Sequence, residues 1–263
     1  MKRVVITACI VVVMAESLFG AEGDSRGVPS AEWIRPCSGS YADADVGVFR
    51  RSFALDGDVR RAELRIASLG AFESKVNGKM LPGYLNGGFT QPEKCRHEYS
   101  FDVSALLLPG GRTNLVEVEV SASWWRDAIM RRDLVVGRAG YPRDSALRAT
   151  LSVELADGRR MAFATDRLWD ATYGGKTVRA GIFEGEVQNL MRDDYRWGKA
   201  VPCDDFSGEV RPMRGPWITL REDLVMRPKE PLPLRLLPGR EYVFDFGQNA
   251  AAVERMVVEG EKY

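Results

Sequence analysis

The sequence predicts an all-β protein: an antiparallel β-sandwich followed by the incomplete start of a second β-domain. Three observations carry that prediction. Apolar and polar residues alternate with a period of two in Ala62–Ile66, Val116–Val120 and Leu147–Leu155, as half-buried strands require. Asn77-Gly78 and Asp157-Gly158 stand between such runs, and both dipeptides tolerate the positive φ angles of a tight hairpin turn. No long run of 3.6-residue periodicity occurs anywhere in the chain.

Taken in order, Val48, Phe49, Phe53 and Leu55 open the sheet. Ala62, Leu64 and Ile66 follow, and Val76 leads into the Asn77-Gly78 turn, with Met80 beyond it. Asp102–Leu108 is too short for a stable helix, and Pro109-Gly110-Gly111 ends it. Val116, Val118 and Val120 point one way while Glu117 and Glu119 point the other, giving one dry face and one wet one. Arg126–Arg143 mixes charges, glycines and Pro142 and is expected to loop over one end of the sheet. Leu147, Ala149, Leu151, Val153 and Leu155 alternate without a break, and Met161 and Phe163 return after the turn. Trp169 and Tyr173 add aromatic mass, and Ile182–Val187 is expected to be the last strand. From Ala200 the chain is rich in proline, which central strands exclude, so a linker or a strap on the first domain is expected. Tyr242–Phe246 and Val253–Glu259 then suggest two further strands, too few to bury a core alone.

At the N-terminus, Lys2 and Arg3 precede the apolar run Val4–Ala15, and Gly20 and Ala21 follow. That order predicts a secretory signal, removed on export to the periplasm or beyond, with an uncleaved anchor as the alternative. The run is shorter than the roughly 20 apolar residues a membrane span needs. The expected boundaries are a signal over 1–21, an extension over 22–47, the sandwich over 48–198, the Pro-rich strap over 199–238 and the unfinished domain over 239–263.

Charge and composition exclude several functions. Lys plus Arg and Asp plus Glu each number 37, so no global field draws the chain to nucleic acid or an anionic membrane. Beyond the signal, Cys37, Cys95 and Cys203 are an odd number, so at least one thiol is free or paired with another chain. With one histidine, His97, and no Cys-x-x-Cys, no zinc site and no cofactor are expected.

Several stretches together resemble the N-terminal region of the bacterial α-L-rhamnosidases, a family of glycoside hydrolases. These are VNGKML, GGFTQPEKCRHEYSFDVSALL, VSASWWRD, TDRLW and IFEGE in order, then YVFDFGQNAAAVERMVVEG, spanning roughly residues 48 to 260. Two departures mark a divergent copy: Ala252 where the family usually has glycine, and Asn189, Leu190 and Met191 where it has an Asp-Ala-Arg run. The resemblance implies a sandwich of the jelly-roll or galactose-binding-like type preceding a catalytic (α/α) barrel whose counterpart is not in this sequence. On that basis the chain is expected to be non-catalytic, supporting or guiding rhamnose-containing glycans toward the barrel. Its partners would be such a glycan and the missing catalytic domain. The alternatives are a stand-alone carbohydrate-binding module and a non-functional remnant.

Glycoside hydrolysis needs two carboxyls about 5–5.5 Å or 6.5–9.5 Å apart, flanking the bond. Glu184 and Glu186 are two apart on an expected strand, about 6.5–7 Å, but side by side rather than opposed. A sheet-edge or domain-contact role is the simpler reading. Trp124 and Trp125 would face opposite ways on a strand, leaving one indole outside for a sugar ring, with Arg126 and Asp127 as hydrogen-bonding neighbours. The alternative is that this second indole packs under the 126–143 loop or against the missing domain. His97, beside Glu98, has no evident nucleophile and is read as structural or solvent-facing.

Overall fold

A computed structural model describes residues 30–37, 46–91, 94–121, 123–126, 145–182, 185–191, 195–204, 206–232, 235, 237 and 239–258, and the backbone of 4–13. The chain divides into two compact units, one of Met1–Leu18, Pro82–Tyr84 and Pro216–Tyr263, the other of Phe19–Leu81 and Leu85–Gly215.

The second of these is the antiparallel β-sandwich. Its first sheet runs in the order Val201–Pro202, Ile34–Arg35, Ala146–Leu155, Val59–Leu69, Cys95–Asp102, Glu209–Pro212, and Arg160–Ala164 also pairs with Ala146–Leu155. The other sheet runs Gly198–Lys199, Asp170–Tyr173, Gly47–Ala54, Thr113–Ser121, Ala71–Val76, Lys79–Met80. Alternation places the core as expected: Leu64, Ile66, Val118, Val120, Leu147 and Leu155 are all fully buried. Each such side chain contributes roughly 1.5–3 kcal/mol relative to exposure. Aromatic rings close the gap between the sheets, with Phe53 against Phe163 at 4.4 Å and Phe72 edge-on to Tyr99 at 5.5 Å between centroids.

The turns follow their residues. Asn77 (φ 51°) and Gly78 (φ 77°) both take the positive angles of the hairpin turn. Asn114, fully buried, accepts from the Leu108 amide at 2.7 Å and from Asn77 Nδ2 at 2.9 Å, pinning the connection after the short 3₁₀ turn Ser104–Leu106. Gly70 passes the chain from one sheet to the other at φ 132°, where a Cβ would lie 1.9 Å from the Ser121 carbonyl oxygen. Only glycine fits there.

The Pro-rich stretch is divided: up to Gly215 it lies with the sandwich, and from Pro216 it belongs to the other unit. Val201–Pro202 and Glu209–Pro212 occupy the two ends of the first sheet, where a missing proline N–H breaks no central ladder. Glu209–Pro212 pairs parallel to Cys95–Glu98. Other expectations are corrected. Ile182–Val187 is not one strand: Thr177–Gly181 and Gly185–Gln188 form a separate hairpin around the positive φ of Gly185. Tyr242–Phe246 is not a strand; the Lys229 amide donates to the Asp245 carbonyl at 2.8 Å and a Lys229–Asp245 ion pair at 2.7 Å holds it.

The other unit holds a three-stranded antiparallel sheet, Ile218–Met226, Val4–Val13, Ala252–Val258. The apolar N-terminal run, expected to stand outside the fold, is its middle strand. A run rich in β-branched residues has the propensity of a strand, and the flanking strands offer open edges to pair with. No helix among the described residues is long and apolar enough to cross a membrane.

Candidate carbohydrate-binding face

Inward valines force their neighbours outward, so the wet face of the second sheet carries Glu117 and Glu119 in its middle strand. Register then sets the company they keep. Glu117 sits between Arg50 and Lys75, and Glu119 between Val48 and Glu73. Cross-strand Cβ atoms of such pairs are about 4.5–5.5 Å apart, near enough to interact.

Beside these strands the chain returns at Tyr195 and Trp197. Their rings stack at 5.5 Å with 8° between planes, and the Arg50 guanidinium carbon lies 3.8 Å from the Trp197 ring centroid. Arg50 Nε also donates to Asp170 at 3.4 Å, and Lys199 Nζ reaches the same carboxylate at 2.7 Å. The Tyr195 hydroxyl accepts from the Lys176 amide at 3.3 Å. Together these residues line an open groove of about 390 Å³, with Glu73, Lys75, Glu117, Glu119, Val48 and Arg50 from the sheet and Lys176, Tyr195 and Trp197 from outside its three strands. Burial holds the Glu119 carboxyl above the ordinary carboxylate range. The Lys75 charge opposes this, the Glu73 and Glu117 charges add to it, and a Thr177 side-chain hydrogen bond opposes it.

Of the candidate site residues singled out from sequence, the structure describes the side chains of Trp125 and Glu186. Ser123–Arg126 is a short helical turn, not a strand, so simple alternation does not set which way Trp124 and Trp125 face. Trp125 is 2% exposed and packs with Leu69, Ala146 and Phe206, which removes it as a sugar platform. Its ring lies 5.4 Å from the guanidinium carbon of Arg96, itself buried, whose Nε donates to the Ser68 carbonyl at 2.9 Å and Nη1 to Thr90 Oγ1 at 3.1 Å. Burial lowers the Arg96 pKa to about 10. The side chains of Trp124 and Arg126, and Asp127 entirely, lie outside the described residues, as does most of the 126–143 loop. Glu184 does too, while Glu186 is exposed and hydrogen-bonded to the Gln188 side chain.

His97 is half-buried beside Glu209, Arg211 and Met213 in a second, more open groove of about 560 Å³. Desolvation lowers its pKa, and the Arg96 and Arg211 charges add to that. Among the described residues no three or more His, Cys, Asp or Glu gather as metal ligands, and Cys37, Cys95 and Cys203 are not joined in a disulfide. The pair that sequence reasoning passed over is Tyr195 and Trp197. Two apart in the chain, they bring their rings to one side, and that spacing was a signal available in the sequence.

A curated α-L-rhamnosidase of Formosa agariphila is 24% identical over 220 residues, 77% of this chain and 22% of its own length. The structure of α-L-rhamnosidase from Dictyoglumus thermophilum superposes with a TM-score of 0.58 at 22% identity, over 69% of this chain and 22% of that one. The Streptomyces avermitilis α-L-rhamnosidase, solved with L-rhamnose, gives 0.56 at 26% identity, over 65% and 17%. This chain thus spans about a fifth of the relatives it matches. The model of the alpha-L-rhamnosidase N-terminal domain matches residues 57–229, and the chain belongs to that family.

Proposed function

We propose that this chain is the non-catalytic N-terminal portion of an α-L-rhamnosidase-type glycoside hydrolase, exported by its N-terminal segment. Its role is to support a catalytic barrel or guide rhamnose-containing glycans to it. The observation that carries this reading is the N-terminal-domain match over residues 57–229 in a chain spanning 22% of a full-length relative. In the groove described above, Glu73, Glu117 and Glu119 lie side by side on one sheet surface.

Such a chain, purified, will release no aryl leaving group from an aryl α-L-rhamnoside. Heat-labile turnover that tracks the protein through purification overturns the non-catalytic assignment. A second reading, a self-sufficient carbohydrate-binding module, is favoured by the groove and predicts binding without any barrel present. The remnant reading predicts neither binding nor a cooperative unfolding transition. For export, N-terminal sequencing of protein recovered outside the cytoplasm would show a start near Ala21; an intact Met1 there would overturn the signal assignment.

A further inference from the structure

We propose that the groove between Glu119 and the Tyr195–Trp197 pair is a binding site for a neutral pyranose unit of a glycan. This deepens the glycan-handling role above by naming where the sugar sits, and it leaves the Ser123–Arg126 turn out of the site.

Charge selects the class of ligand. The lining holds three carboxylates, Glu73, Glu117 and Glu119, against three cations, Arg50, Lys75 and Lys176. Their formal sum is zero, so the groove favours neither an anion nor a cation, yet it offers donors and acceptors side by side. A polyhydroxylated neutral ring uses both at once: each hydroxyl donates to a carboxylate and accepts from an ammonium or guanidinium. The volume, about 390 Å³, lies at the small end of ligand sites, roughly 300–1,000 Å³, which suits one or two sugar rings.

The aromatic wall is held in place before any ligand arrives. Trp197 is fixed by the Arg50 guanidinium at 3.8 Å and by the Tyr195 ring, and the Tyr195 hydroxyl is tied to the Lys176 amide. Such a wall costs little ordering entropy on binding. Trp197 and Tyr195 both remain partly exposed at the groove.

The simpler alternative is an ordinary solvated sheet face. Against it stands the cost the fold bears here. A carboxylate partly withdrawn from water, with two others as neighbours, works against stability, and a surface kept only for solubility gains nothing from that placement. A carboxyl perturbed by burial and by charged neighbours inside a groove is a candidate site residue.

The test uses the full chain and methyl α-L-rhamnopyranoside, followed by amide chemical shifts. Saturable shifts clustered at residues 48–50, 73–75, 117–119 and 195–197, with a dissociation constant of about 1 mM or below, support the site. Trp197→Ala should weaken binding by about tenfold. Glu119→Gln, which keeps the shape and replaces an acceptor oxygen by a donor, should also weaken it while leaving the fold intact. No saturable shift at about 50 mM with this glycoside or its D-gluco counterpart overturns the site. So does binding indifferent to both substitutions, or a preference for a uronate over the neutral sugar. These outcomes are separate from turnover: an aryl rhamnoside cleaved by the chain overturns the non-catalytic role and not the groove, while absent binding overturns the groove and leaves the family role standing.

Discussion

Replacing Trp125 by alanine decides between a core indole and a sugar platform. The structure places Trp125 at 2% exposure against Leu69, Ala146 and Phe206. Truncating a buried tryptophan costs about 3–5 kcal/mol, part transfer and part cavity. Here a second loss follows. The Arg96 guanidinium, withdrawn from water and 5.4 Å from the Trp125 ring, loses the π-face it stands over, a contact of about 0.5–2 kcal/mol. Together these give a loss of about 3.5–7 kcal/mol, a large share of the roughly 5–15 kcal/mol typical of a domain. With a urea m-value of about 2 kcal/mol/M the unfolding midpoint falls by about 2–3.5 M. Trp125→Phe keeps a ring over Arg96 and should lose about 1–2 kcal/mol. Equilibrium urea unfolding by far-UV circular dichroism reads both. A Trp125→Ala loss below about 1 kcal/mol, with saccharide binding abolished, would refute the core placement and restore this indole as the ligand platform.

Two further outcomes follow from the sheets. Because burial raises the Glu119 pKa, the unfolded chain releases that proton near 4.5 while the folded chain holds it to higher pH. Stability from this group is therefore lost as pH rises through that window, so Glu119→Gln should be more stable than the parent at pH 7. The difference should vanish at pH 4; a parent–variant gap that does not change between pH 4 and pH 7 by urea titration contradicts the burial of this carboxyl. Gly70→Ala would place a Cβ 1.9 Å from the Ser121 carbonyl oxygen at a φ of 132°. A loss of about 4 kcal/mol or more is expected, lowering the melting temperature by ~10 °C; a shift under about 2 °C would mean the crossing between the sheets is not built this way.

Much of the fold was legible because its signals are local. A period of two needs no knowledge of partners, so Leu64, Ile66, Val116, Val118, Val120 and the Leu147–Leu155 run declared their inward faces from sequence. Asn77-Gly78 likewise carries its turn in its own backbone preferences. The same logic failed at Trp124-Trp125, where a helical turn replaces the assumed strand and the odd–even rule no longer applies. Val4–Val13 has a composition that suits both an export signal and a strand, and its pairing with Ile218–Met226 and Ala252–Val258 lies beyond any local rule.

The amino-acid sequence by itself determined the class of the fold, the face each long strand turns inward, and the family resemblance that the domain match bears out. Tertiary structure alone decided the company of the outward residues. Gly47–Ala54 and Ala71–Val76 both pair with Thr113–Ser121, a strand about 40 or more positions further along, and that register brings Arg50, Glu73, Lys75, Glu117 and Glu119 to one surface beside Tyr195 and Trp197. Pairing between distant strands depends on which closure buries the most apolar surface at the least loop cost, and that is a property of the whole chain rather than of any stretch of it.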